Sequence, residues 1–89
     1  MVVQVLGYRN GVGVNKNTGE QYRYVNTYVA FPADSVEGLQ TEKLFMKVKE
    51  PLYLIPGHYY ELVTDMYFFN GQAQVRPCGF KELPEYKGF

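Results

Sequence analysis

The sequence predicts an all-β protein, a small five-stranded antiparallel OB-like barrel with protruding β-hairpins. Three observations carry that expectation. Apolar and polar residues alternate at the two-residue period of a half-buried strand, most clearly from Gln21 to Phe31. Turn signals punctuate these runs: Asn15-Lys16-Asn17-Thr18-Gly19, Pro56-Gly57 and Asn70-Gly71. No segment sustains a helical period long enough to stand as a helix. Strands joined by turns, at this length, fit a five-stranded barrel.

Taken in order, Met1 to Tyr8 (MVVQVLGY) is a β-branched run ended by Gly7, the first strand. Gly11 and Gly13 then alternate with Val12 and Val14. Glycines inside a strand mark a bulge or a sharp bend. The asparagine-rich turn that follows ends on Gly19 and places Lys16 and Asn17 at a hairpin tip, with Glu20 to Phe31 as the return arm. Pro32 stops that arm, and Ala33 to Thr41 reads as a loop. In Glu42 to Glu50 the residues Leu44, Met46 and Val48 point inward, with Phe45, Lys47 and Lys49 outward. Pro51 ends this strand. His58 to Phe69 is a long aromatic strand, and Asn70-Gly71 turns it into the arm Gln72 to Phe80, where Pro77 indicates an edge. Residues 1–82 thus form one domain, and the tail 83–89, polar with Pro84 and Gly88, is expected to be flexible.

Composition narrows the functional classes. With 89 residues the chain is one domain, small enough that oligomerisation would help it. No apolar run reaches the roughly 18 residues of a membrane helix, and with no basic stretch or cleavage site near Met1 no signal peptide is expected. The single cysteine, Cys78, cannot close an internal disulfide, and one histidine is too few for a zinc site, so a reducing cytoplasm is expected. Zero net charge argues against a bulk electrostatic binder of nucleic acid. The charge is nevertheless uneven. Up to Phe31 the bases Arg9, Lys16 and Arg23 stand against Glu20 alone, a local net charge of +2.

The sharpest pattern lies in the second strand. One face carries Arg23, Val25, Thr27, Val29 and Phe31, and the other Tyr22, Tyr24, Asn26 and Tyr28. If Val25, Val29 and Phe31 enter the core, the tyrosines form an outward platform with Lys16 and Arg23 nearby. Flat amphipathic rings beside cations are what stacking of unpaired bases requires. Tyr28, nearest the strand end, is expected to be the most core-like of the three. Phe45 and Lys47 add an aromatic and a cation on a neighbouring outward face. Phe68 and Phe69, being adjacent, point to opposite sides of their hairpin, which suits one to a protein interface and the other to a ligand.

Nothing assembles into a catalytic constellation. His58 follows Pro-Gly at a strand start, Cys78 sits between Pro77 and Gly79 as a small half-buried residue, and the glycines precede no helix that could cradle a phosphate. No enzyme, cofactor, metal or small-molecule substrate is expected.

The order of these signals also has a family likeness. A polar hairpin tip leads to Gly19, Tyr22 and Tyr24, then Met46-Lys47-Val48, then Pro56-Gly57-x-Tyr59, an aromatic hairpin, and Leu83-Pro84. Over most of its length the chain resembles the gene V protein family, the helix-destabilising single-stranded DNA-binding proteins of filamentous phages. The resemblance implies an OB-like homodimer that coats phage or plasmid-like replicating single strands cooperatively and without strong sequence preference, in the host cytoplasm. RNA binding is left open. Together with the strand pattern, which supplies Arg23, the resemblance implies nucleic-acid contacts at Lys16, Tyr22, Arg23, Tyr24, Phe45, Lys47, Phe69 and Arg76, and a dimer interface at Tyr67, Phe68 and Val75. The alternative from the residues alone is a small β-barrel interaction module whose tyrosine face binds a polypeptide.

Overall fold

The computed structural model describes every residue from Met1 to Phe89, and its regular structure is all strand: β1 (Val2–Val14), β2 (Gln21–Pro32), β3 (Leu39–Val48), β4 (Tyr59–Phe69) and β5 (Gln72–Glu82). They form one antiparallel sheet in the order β3-β2-β1-β4-β5. The sheet is open, and closure into the expected OB-like barrel is not seen. No hydrogen-bonded ladder joins β3 to β5, although the sheet curls until the two edges face each other across a cavity of about 470 Å³. No helix is present that could cross a membrane.

β1 is shared between two partners. Val2 to Gln4 pair with Glu61 to Tyr59 of β4, while Gln4 to Val14 pair with β2. The strand can serve both because it bulges between Val5 and Gly7, where Leu6 has no residue opposite it. The bulge also reverses sidedness. Val3 and Val5 point into the core before it; Tyr8 does so after it, and Gly7, Arg9, Gly11 and Gly13 turn outward. The bend expected at Gly11 and Gly13 therefore lies at Leu6 instead, and β1 runs unbroken through both glycines. The expected loop is also shorter than Ala33 to Thr41, since Leu39, Gln40 and Thr41 already pair with β2.

Both hairpin turns follow their residues. Gly19 at φ 73° lets its N–H donate to the Asn15 carbonyl at 2.7 Å, closing the β1–β2 tip. Asn70 and Gly71, at φ 52° and 76°, make the two-residue turn between β4 and β5 whose positive angles match strand twist.

The core is small and lies at one end. Val3, Val5, Val29, Leu54 and Tyr60 form it, edged by Tyr8, Phe31, Leu44, Leu52 and Phe80, and only nine residues of the chain are buried. Each buried aliphatic chain contributes about 1.5–3 kcal/mol. The segment before β4 is pinned by Asn10. Its amide donates to the Leu52 carbonyl at 2.8 Å and accepts from the Leu52 N–H at 3.0 Å, as a strand partner would. The tail lies against Tyr59: Leu83 N–H donates to the Tyr59 carbonyl, and the rings of Tyr59, Tyr86 and Phe89 cluster with centroids 5.1–5.8 Å apart. Beyond the core the β1–β2 and β4–β5 hairpins project. The radius of gyration, 14.7 Å, accordingly exceeds the roughly 12 Å of a compact chain of this length.

Candidate functional site

β2 delivers its two faces as its alternation dictates. Val25, Thr27 and Val29 are fully buried, so Tyr22, Tyr24, Asn26 and Tyr28 stand on the outer face. The pairing register extends that face onto both neighbours. Gly13, Gly11, Arg9 and Gly7 of β1 oppose Tyr22, Tyr24, Asn26 and Tyr28, while Lys47, Phe45 and Lys43 of β3 oppose Tyr24, Asn26 and Tyr28.

The glycines explain how the rings lie. A Cβ on Gly13 would sit 2.5 Å from Cζ of Tyr22, and one on Gly11 would sit 2.5 Å from Oη of Tyr24. Each ring thus leans across the strand gap and lies on bare glycine backbone, with no side chain beneath it. Phe45 stacks on Tyr24 at 5.5 Å and 28°, Tyr22 follows at 6.1 Å, and the Lys47 ammonium lies 4.8 Å from the Tyr22 ring centre. The result is a row of three rings with a cation over one end, and the two tyrosines among them lie on glycine backbone that has no rotamers to move.

Electrostatically the strip is one-sided. No Asp or Glu occupies an outer-face position of β1, β2 or β3 along it, and Arg9, Lys43 and Lys47 make no salt bridge. A neutral molecule therefore presents a locally cationic aromatic face.

Comparison with protein-family models, curated proteins and solved structures gives no match. The geometry alone carries the functional argument.

The structure brings together Tyr22, Tyr24, Phe45 and Lys47 as one surface. Arg76 joins it across the β3–β5 gap, lining the cavity there with Phe45 and Lys47. It is not a free cation. Its Nε donates to Asp65 at 2.8 Å and its guanidinium lies 4.9 Å from the Tyr67 ring. The hydrogen bond to Asp65, followed by that carboxylate's charge, raises its pKa, so Arg76 stays protonated throughout. Arg23 stands on the opposite side of β2 from the tyrosines, with Val12 and Val48 across from it. It meets Tyr22, Lys47 and Lys49 only around a shallow cavity of about 430 Å³ at the open strand ends. Lys16 is exposed at the hairpin tip, outside the strands.

On the β4–β5 hairpin Phe68 and Val75 share one face with Met66 and Ala73. Tyr67 and Phe69 share the other with Asp65, Gln72, Gln74 and Arg76. The three residues expected at a dimer interface thus divide, Phe68 and Val75 against Tyr67. Met66, Phe68 and Val75 are 65%, 76% and 67% exposed, a bare apolar face on an isolated chain.

Tyr28, expected to be core-like, is 44% exposed and outward. Cys78, expected half-buried, is exposed because it is the extra residue of a second bulge, between the Thr64–Pro77 and Val63–Gly79 pairs. His58 does stand at a strand start, exposed, with Nδ1 2.9 Å from a Glu82 carboxylate oxygen. Arg9 and Lys43 also stand on the tyrosine face, which the sequence pattern did not single out. The bulge at Leu6 decides the side of Arg9, and only the β2–β3 register sets Lys43 beside Tyr28.

Proposed function

We propose that the protein binds single-stranded DNA without strong sequence preference, stacking bases on Tyr22, Tyr24 and Phe45 and pairing phosphates with Lys47 and its neighbouring cations. The observation that carries this reading is the row of three rings, two of them laid on glycine, on a face where β1, β2 and β3 present cations and no acid. Stacking needs flat faces held in place, and each stacked base contributes about 1–3 kcal/mol. A base settling on Tyr22 shifts the Lys47 ammonium from the ring toward the adjoining phosphate, exchanging a cation–π contact for an ion pair. Neutral net charge is compatible with this, because the cations are gathered where the rings are.

The β3–β5 approach suits an OB-like barrel whose seam stays open, and the likeness to the gene V family fits the same activity: coating and protecting replicating single strands. The apolar face of Met66, Phe68, Ala73 and Val75 suits a second copy of the chain, since with only nine residues buried an isolated protomer is marginal. Homodimerisation there leaves the tyrosine strip free.

The test is a titration with oligo(dT) at low and moderate salt. Nine tyrosines and no tryptophan make tyrosine emission the natural reporter. Saturable quenching that weakens with salt supports the reading, with a slope near −3 for about four phosphate contacts at ~0.7 each. Tyr24→Ala weakens binding while leaving melting and dimerisation nearly intact. Absence of binding at low salt would refute the proposal and leave the strip to a polypeptide partner.

A further inference from the structure

The strip does not stop at Tyr24. We infer that a second nucleotide subsite lies at its far end, formed by Tyr28 as a stacking ring and by Arg9 and Lys43 as phosphate contacts, so that the bound strand runs the length of β2. This rests on the single-strand reading above and extends it to residues outside the glycine-floored platform.

Four observations place it. Arg9, Asn26 and Phe45 lie abreast on the outer face, and Gly7, Tyr28 and Lys43 form the next rank along. Tyr28 is 44% exposed and has no ring stacked on it. Unlike Tyr22 and Tyr24, it does not rest on its cross-strand glycine, since nothing lies within 4 Å of a Cβ built on Gly7. Its ring is therefore open to a ligand. An open hollow of about 400 Å³ beside it is lined by Leu6, Thr41, Glu42 and Lys43.

The charge balance also favours an anion. Lys43 and Arg9 are unpaired, and the nearest acid, Glu42, belongs to the other face by its pairing with Val29. Glu42 reaches the rim and keeps its charge, with Gln40 Nε2 donating to its carboxylate at 2.8 Å, so the two cations outnumber it by one. Between the two subsites, the Asn26 side-chain oxygen is shielded and has no hydrogen-bond partner. Such an acceptor is costly to leave unmet, and an amino or imino N–H of a base passing over it would meet it after a small rotation of the amide. From Tyr22 to Tyr28 the strand rises about 20 Å at ~3.3 Å per residue. That length suits the lower end of the roughly 4–16 nucleotides covered by one OB-type unit.

The deciding experiment titrates the full chain with (dT)8 across a salt series, comparing parent, Arg9→Gln/Lys43→Gln, Tyr28→Leu and Lys47→Gln, each checked for an unchanged melting profile. The double variant should lower the steepness of the salt dependence by about 1.4, or ~0.7 per lost phosphate contact. Tyr28→Leu should weaken binding about 5- to 150-fold, the range of one stacked base, with little change in slope. If Lys47→Gln weakens binding while the double variant and Tyr28→Leu match the parent in affinity and slope, the second subsite is refuted and the first stands. If the parent binds no oligonucleotide, both fall together.

Discussion

Alanine at Gly11 or Gly13 separates the tyrosine platform from the stability of the fold. Neither glycine has a positive φ, so an alanine suits the backbone there and recovers about 0.5–1 kcal/mol of the cost of glycine in a strand. The added carbon would nevertheless lie 2.5 Å from Tyr24 Oη at Gly11, and 2.5 Å from Tyr22 Cζ at Gly13. Ordinary carbon contacts begin near 3.5 Å, so the ring must lift by about 1 Å or swing off its rotamer, costing ~0.5–1.5 kcal/mol. The two contributions nearly cancel, and melting should move by only a few degrees, at about 4–8 °C per kcal/mol. Binding should not be spared. A displaced Tyr24 loses its stacking on Phe45 and its level with Tyr22, and the loss of one base platform is about 1–3 kcal/mol, or roughly 5- to 150-fold in affinity. Gly7→Ala is the matched control on the same strand and face, with nothing within 4 Å of the new carbon. The assay is tyrosine quenching by oligo(dT), alongside circular-dichroism melting. Folded Gly11→Ala and Gly13→Ala proteins that bind within twofold of the parent, or a Gly7→Ala protein that weakens as much as they do, would refute the reasoning.

Asn10→Ala removes both hydrogen bonds to Leu52 and should cost about 1–2 kcal/mol, read as a 4–16 °C drop in melting with no change in salt slope. Phe68→Asp on the exposed hairpin face should give monomers in sedimentation, while a protein that remains as associated as the parent would exclude that face as the dimer contact. Tyr86→Ala removes two ring pairs, to Tyr59 and Phe89, each contributing ~0.5–1.5 kcal/mol; faster proteolysis within residues 83–89 than in the parent is the expected result. If cleavage there is unchanged, the ring cluster does not hold the tail.

The local pattern was informative where one face of a strand is buried. Val25, Thr27 and Val29 alternate with tyrosines, and burying the first set leaves the second no choice but the outer face. Met46 inward, with Phe45 and Lys47 outward, follows by the same argument, as do the turns at Asn15 to Gly19 and Asn70-Gly71. Sidedness failed where a bulge intervened. Leu6 adds one residue to β1, and alternation counted from Val3 and Val5 would place Arg9 with the core; Cys78, expected half-buried from its small size between Pro77 and Gly79, is exposed where β5 bulges.

What the chain determined by itself is the all-strand character, where the two hairpins turn, and which face of β2 and β3 is apolar, because these depend on side-chain period and on φ preferences within a few residues. Tertiary structure alone decided that Gly11 and Gly13 are a floor for Tyr24 and Tyr22. It also decided that Arg9 and Lys43 stand on the tyrosine face, and that the sheet stays open between β3 and β5. These depend on register between strands distant in sequence, where one residue of slip or bulge reverses every side chain, and neighbours along the chain do not encode it.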